Sequence, residues 1–368
     1  MSYCGGHGDR LNGMLSAFVI ALLSDRAFFI DSQRPVPLSM VLQPTPGGLD
    51  WRMFGSHAAL PAGFNLNDNL AAFEQNPRSV LESQEKVIRL VSNQRLTAAA
   101  LHASGQRAES LGLSRQPALH SYLFQMLFAP SPALQARLNA RDLPAGRRIG
   151  LHFRAGDQMP QNWKDPPRHP LSELDEFLDC AESLEKDYDW DATFILFADT
   201  DKVLTIPRVQ ELMSAGKLVW PSEPDGLVHL DRSPATLTVR GLLQTWSDWW
   251  TLAFDVDALV LCHSGFGATA LEIGPRRPAV IGRGCVPADG TTGPMLTRNL
   301  RRGDLASSCV LNMRRVTLAV PTSRFQGQKD KQALRHSCDL CLWSFACAGQ
   351  RCYDMTPTVA VASLDPRP

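Results

Sequence analysis

The chain carries no surplus of charge of either sign: 37 Lys and Arg stand against 37 Asp and Glu in 368 residues. That balance argues against a nucleic-acid surface spread over the whole protein. It leaves room for one concentrated basic cleft, which suits a small phosphorylated ligand better than a long polyanion. No stretch of about 18 uncharged apolar residues occurs, so no membrane-spanning helix is expected. The best candidate, Leu15–Leu23, is nine residues long and ends at Ser24, Asp25 and Arg26. No basic segment precedes an apolar one at the N-terminus, so no signal peptide is visible. Low-complexity tracts and short-period repeats are missing. So is the G-x-G-x-x-G turn of dinucleotide-binding domains, which sets a dehydrogenase aside.

What is present is an α/β pattern. Hydrophobic residues make up 44% of the chain, enough for two sizeable cores in a chain longer than one average domain. The organising stretch is Arg148–Asp157, R-I-G-L-H-F-R-A-G-D. Ile149–Phe153 reads as a buried strand that delivers Arg154, Gly156 and Asp157 to a sheet's carboxyl edge, where ligands of open α/β sheets bind. The planar, permanently charged guanidinium of Arg154 suits a phosphate there. The structural alternative is a turn held by Arg154 and Asp157 or another carboxylate.

Ahead of that stretch, Tyr3–Gly13 places Gly5, Gly6 and Gly8 in a tight turn, followed by Leu11, Met14, Leu15, Phe18, Val19 and Leu22 at helix spacing. A glycine loop therefore opens a helix, and its amides suit an anion or a sugar. Ala27–Ile30 and Lys86–Val91 read as strands. The irregular excursion between Pro35 and Ala72 holds Trp51, for which packing beneath a loop outweighs an acceptor contact. Leu119–Leu138 is helical and broken at Pro130, with Ser131 as a cap and Pro132 at the first helical position. Asp142–Gly146 marks a domain boundary. The resulting division is 1–146, 147–330 and a cysteine-bearing extension, 331–368.

Beyond the boundary, Gln158–Pro170 is a loop, and Ser172 opens a helix with Leu174, Phe177, Leu178 and Ala181 on one face. Ala192–Ala198 is a continuous apolar run suited to a parallel sheet. It ends at Asp199-Thr200-Asp201, which serve either ribose or base donors or as ordinary helix caps. Leu242–Phe254 is a helix carrying Trp246, Asp248, Trp249 and Trp250. The central strand Asp257–Cys262 feeds Ser264-Gly265-Phe266-Gly267, a second glycine turn whose amides suit a pyrophosphate. Pro278–Ile281 is a strand, a further one is expected within Val310–Val320, and the last fifteen or so residues look loose.

Together these segments resemble GDP-fucose-dependent fucosyltransferases: the plant xyloglucan, rhizobial chitin-oligosaccharide α-1,6- and protein O-fucosyltransferases. Gly5–Gly13 with Phe28-Phe29-Ile30-Asp31 resembles their opening, and Pro35–Trp51 the plant-like branch. His152-Phe153-Arg154 resembles the H-x-R block. Phe197–Asp201, and Asp248 with Ser264–Ala270, resemble two later blocks. The four blocks run in order over roughly residues 3–283. The resemblance implies a GT-B fold, two Rossmann-like domains with mostly parallel sheets facing across a cleft. Residues 1–146 would shape the acceptor side and 147–330 would hold the nucleotide sugar. It further implies inverting, metal-independent transfer of fucose from GDP-fucose to a hydroxyl of a glycan acceptor, with no cofactor beyond the donor. The alternatives are a GT-B enzyme using another nucleotide sugar and a catalytically inactive sugar-nucleotide or glycan-binding protein. A single-domain GT-A enzyme with a metal at Asp199-Thr200-Asp201 is the minority reading.

On that resemblance Arg154 binds donor phosphate and, with Asp9 and His152, forms the candidate catalytic set. The donor side takes in Gly6, His7, Gly8, Arg10, Asn12, Asp199, Ser264, Gly265, Phe266 and Gly267. His7 and Asp9 are the candidate bases for the acceptor hydroxyl, with Asp9 alternatively the partner of Arg10 in a structural ion pair. His152 either donates to donor or acceptor, or is a satisfied inward-facing histidine between Leu151 and Phe153. Phe266 either stacks near the base or packs beneath its helix. Asp248 is expected to be an internal anchor that accepts hydrogen bonds from the Ser264 loop backbone. Cys338, Cys341, Cys347 and Cys352 admit structural zinc, disulfides or free thiols, and the odd total of nine cysteines leaves one over if the rest pair within the monomer. The expected location is cytoplasmic if the sequence is complete and the secretory-pathway lumen if a leader has been removed. Acceptor choice is expected to lie in Gln33–Asn69 and Gln158–Pro170.

Overall fold

The computed structural model describes residues 6–32, 36–52, 64–65, 73, 75–85, 87–116, 118–156, 168–222, 238–288 and 358–363. In chain order the strands are β1 (Arg26–Asp31), β2 (Leu42–Pro44), β3 (Phe64–Asn65), β4 (Val87–Val91), β5 (Phe128–Pro130), β6 (Arg147–Phe153), β7 (Ala192–Ala198), β8 (Leu218–Val219), β9 (Ala258–Leu261), β10 (Ala279–Ile281), β11 (Val286–Pro287) and β12 (Thr358–Ser363). They build a six-stranded sheet ordered β11-β10-β9-β6-β7-β8, a four-stranded sheet ordered β1-β12-β4-β3, and the pair β2-β5. The fold is α/β, with two main sheet regions and helices packed on them.

The six-stranded sheet is parallel from β10 through β8, and β11 joins its edge antiparallel. β6 is buried on both faces, and its side chains alternate between them. Ile149, Leu151 and Phe153 share a core with Phe177, Leu178 and Ala181 of the Leu174–Asp187 helix, as the apolar spacing predicts. Gly150 and His152 face the helices Val239–Phe254 and Gly265–Ile273. A Cβ on Gly150 would stand 2.9 Å from Leu252 and 3.0 Å from Val256, so glycine lets that helix lie close to the strand. A disulfide between Cys180 and Cys285 ties the Leu174–Asp187 helix to the segment after β10.

The four-stranded sheet differs from expectation. The C-terminal residues that look loose in sequence include β12, which lies between β1 and β4 and runs antiparallel to both. T-V-A-V-A-S has the β-branched content of a strand, and its place supplies backbone partners to two strands at once. The strand expected in Val310–Val320 lies outside the described residues, as do Tyr3, Cys4 and Gly5 of the first glycine turn, most of the loop Gln158–Pro170, and Cys338, Cys341, Cys347 and Cys352.

The first helix, α1 (His7–Leu23), also begins earlier than its glycines suggest: Gly6 is the cap and Gly8 already lies in the first turn. The helical stretch after residue 118 follows its sequence signals. Leu119–Leu127 ends in β5, and Pro132–Asn139 restarts with Ser131 Oγ accepting from Leu134 N at 3.1 Å. Trp51 is buried and donates Nε1 to the carbonyl of Leu127 at 2.6 Å, the packing role expected of it. Among the described residues, no helix is long and apolar enough to cross a membrane.

Candidate active site

Two helix N-termini meet at the site. A Cβ on Gly8 would fall 2.1 Å from the carbonyl oxygen of Gly265, so only a hydrogen fits where α1 crosses the start of the Gly265–Ile273 helix. Gly6 N donates to Asp9 Oδ2 at 2.9 Å, a reach-back that closes the first turn of α1. Ser264 Oγ accepts from Phe266 N at 3.2 Å and caps the second helix. Each N-terminus carries N–H groups without intrahelical partners and the positive end of a helix dipole.

The carboxyl end of β6 supplies the rest. Asp199, at the end of β7, accepts from Ala155 N at 2.8 Å and from Gly156 N at 3.0 Å. Gly156 makes this turn possible with a φ of 67°. Arg154 Nε stands 4.0 Å from Asp199 Oδ2. Asp199 therefore shapes the turn that carries Arg154. Burial pushes its carboxyl above the ordinary range, against the opposing pull of the two amides and of Arg154. Thr200 uses its hydroxyl as a cap, accepting from Lys202 N at 3.3 Å.

Phe266 lies between two buried imidazoles. His152 stacks on it at 5.0 Å with 30° between planes, and His7 sits 5.3 Å from it. His152 Nδ1 is 3.4 Å from Cys262 Sγ. Burial, helped by Arg154 and His169, lowers the His152 pKa to about 3. The His7 ring is 4.3 Å from Trp246 and 5.2 Å from Trp249. Burial, helped by Arg10, lowers its pKa to about 3 as well. Both rings are neutral near pH 7. The structure thus brings together His7, Gly8, Asp9, His152, Gly265, Phe266 and Gly267, with Arg154 close enough to act on the charge of His152 and Cys262. Arg10 is buried on α1. Asn12 keeps its Oδ1 out of solvent without a hydrogen-bond partner among the described residues.

Asp248 is an anchor, but not of the Ser264 loop. It pairs with Arg141 and accepts from Ser222 Oγ at 3.0 Å and Gln244 Nε2 at 2.6 Å. The next residue takes the expected role: Trp249 Nε1 donates to Thr269 Oγ1 at 3.1 Å, and that hydroxyl bonds the carbonyl of Gly265 at 2.8 Å. One residue is about 100° of helix rotation, which turns Asp248 toward Arg141 and Trp249 toward the Gly265 helix. Thr269 and Cys262 are supports the motif reading passed over. Cys262 follows β9 directly, and only the pairing of His152 with Leu261 shows it to be beside the histidine. Among the described residues, no three His, Cys, Asp or Glu side chains cluster as a metal site.

No family model matches the sequence, and no curated protein matches it. Among solved structures, an arginine-to-lysine variant of Arabidopsis thaliana FUT1 in complex with GDP aligns with a TM-score of 0.51 at 13% identity, covering 78% of this chain and 73% of that one. NodZ α-1,6-fucosyltransferase co-crystallised with GDP aligns with a TM-score of 0.45 at 14% identity, over 76% of this chain and 92% of that one. The chain has a remote structural similarity to GDP-fucose-dependent fucosyltransferases, and at these identities the likeness is one of fold.

Proposed function

We propose that this protein is an inverting GT-B glycosyltransferase that moves fucose from GDP-fucose to a hydroxyl of a glycan acceptor. In this proposal residues 1–146 form the acceptor-side domain, whose sheet takes Thr358–Ser363 of the 331–368 extension as a strand, and 147–330 the donor-side domain. The observation that carries it is the stacking of His152 on Phe266 at the N-terminus of the Gly265 helix, with Arg154 following His152 by two residues at the carboxyl end of β6 and facing Asp199.

A nucleotide sugar brings its own leaving group, so the protein must stabilise negative charge on the departing diphosphate as the sugar gains positive character. Arg154 supplies charge and paired hydrogen bonds, the role a divalent cation has in other transferases. The Phe266 amide is spent on Ser264, which leaves the Gly265 and Gly267 N–H groups as donors to a phosphate. His152, neutral, adds a donor without adding charge. Asp9 is assigned the acceptor's proton, through the carboxylate oxygen that does not hold Gly6. Asp199 acts through the turn it shapes. Its engagement with Ala155 and Gly156 favours a second reading on one point: selection of the base rests on other residues, so another nucleotide sugar fits the same phosphate site.

Calorimetric titration with GDP, UDP, ADP and CMP, repeated in Arg154→Ala, tests the proposal. Preference for GDP, lost in the variant while the melting temperature holds, supports it and justifies an acceptor screen with GDP-fucose. Preference for UDP or CMP overturns the fucose assignment and keeps the site. Binding of none of them by folded protein overturns both.

A further inference from the structure

We infer that Cys262 is a positioning residue that sets the tautomer of His152: its thiol donates to Nδ1, which leaves the ring's single proton on Nε2. Three restraints on the imidazole come from the short segment that ends β9 and opens the next helix. The ladder between β6 and β9 places Cys262 beside His152, with Cys262 N donating to the His152 carbonyl at 3.1 Å. Phe266 stacks on the ring and fixes its plane. Gly267 closes the Nδ1 side, since a Cβ there would stand 3.0 Å from Nδ1. Among the described residues, the one hydrogen-bond contact of the ring is Nδ1 with Cys262 Sγ at 3.4 Å.

The direction of that bond follows from what each group can do. Burial holds the His152 ring neutral and pushes the Cys262 thiol up to about 12, so between them the two side chains carry one N–H and one S–H. An imidazole nitrogen is a strong acceptor and a thiol sulfur a weak one. The pairing S–H to Nδ1 uses the better acceptor. The reverse, Nδ1–H to Sγ, turns the S–H toward the apolar cluster in which Cys262 is packed. A neutral histidine has one donor face, and its partner at the other nitrogen decides which face that is. Here the donor is Nε2, at the far end of the ring from Cys262. Resting on the function proposed above, this is the group that gives His152 a hydrogen bond to an anionic oxygen of the donor.

Nitrogen NMR of the full chain labelled with 15N-histidine tests the inference, with His152→Gln identifying the resonances. The expected wild-type pattern is an unprotonated Nδ1 and a protonated Nε2. Cys262→Ala is expected to move both shifts toward a tautomer mixture. Cys262→Ser, whose hydroxyl is a stronger donor, is expected to keep the wild-type pattern. GDP binding is expected to weaken about fivefold in Cys262→Ala and to recover in Cys262→Ser, the loss of roughly one hydrogen bond. A proton on Nδ1 in the wild type, or shifts unchanged in Cys262→Ala, overturns the inference. If the shifts behave as expected and wild-type protein binds no GDP, the tautomer assignment stands and the donor reading is what fails.

Discussion

Gly8 and Gly265 meet backbone to backbone, and Gly8 has no room for a side chain: a Cβ there would lie 2.1 Å from Gly265 O, while one on Gly265 would press against Asp9 Oδ1 at 3.3 Å. This contact joins the first helix of the chain to the glycine turn after β9, across more than half the sequence. Gly8→Ala is expected to destabilise the protein by about 3 kcal/mol, the upper range for overpacking, because the obstacle is main chain that cannot rotate away. Denaturant unfolding of the variant, read by its midpoint, checks this; a loss below about 1 kcal/mol would show that the two helices slide apart freely.

Acid should loosen the protein from about pH 6.5 downward. His7 and His152 are held neutral, with folded pKa values lowered to about 3 against 6.5 for the unfolded chain. Below pH 6.5 the unfolded chain takes up protons that the folded form refuses, so stability falls as pH drops from 6.5 toward 3. At pH 5 each histidine accounts for about 2 kcal/mol of that loss. His7→Leu should therefore lose less stability than the wild type between pH 7 and pH 5. Parallel pH profiles for the two proteins would reject the assignment.

The disulfide Cys180–Cys285 closes a long loop, with a sequence separation of 105. On chain-entropy grounds it contributes about 4 to 5 kcal/mol. Thermal melts with and without a thiol reductant, set beside Cys285→Ser, should show one matching drop in melting temperature. A melting temperature indifferent to reductant would show that the bond does not stabilise the fold.

Asp199 distinguishes an anchor from a reader of the base. Its carboxylate holds two amides of the turn that presents Arg154. Asp199→Asn replaces one acceptor oxygen with an NH2 and leaves one of those amides without its partner. The expected result is about tenfold weaker binding of every nucleoside diphosphate, and of pyrophosphate alike. Selective loss of GDP, with UDP and pyrophosphate unchanged, would assign Asp199 to the nucleoside instead.

Trp249 should matter more through one nitrogen than its burial suggests. Trp249→Phe keeps most of the packing against His7 and Phe124 and removes the donor to Thr269. A stability loss of about 1 kcal/mol is expected, with GDP affinity falling because the Gly265 carbonyl is held through that threonine. Unchanged affinity alongside the stability loss would make the bond purely structural.

Much of this architecture is readable along the chain. The apolar runs at Ile149–Phe153, Ala192–Ala198 and Ala258–Leu261 are buried strands of a parallel sheet, because a strand covered on both faces has no polar period to hide. Pro130, Ser131 and Pro132 mark a helix end and a restart through local backbone chemistry alone. Arg154, His152, Ser264 and the two glycine turns stand out for the same local reason, since strand ends and glycines announce themselves in a short window.

Tertiary structure alone decided the rest. Which of Asp248 and Trp249 supports the Gly265 turn, and that Asp199 holds the Arg154 turn, depend on helix rotation and strand register. So does the insertion of Thr358–Ser363 between β1 and β4, which joins residues more than two hundred positions apart. Composition and spacing determine which segments can pair and which faces must be buried. They carry no term for the long-range partner of a polar group. That partner is chosen only when the packed backbone brings donor and acceptor within about 3 Å of each other, as it does for Trp249 and Thr269 here.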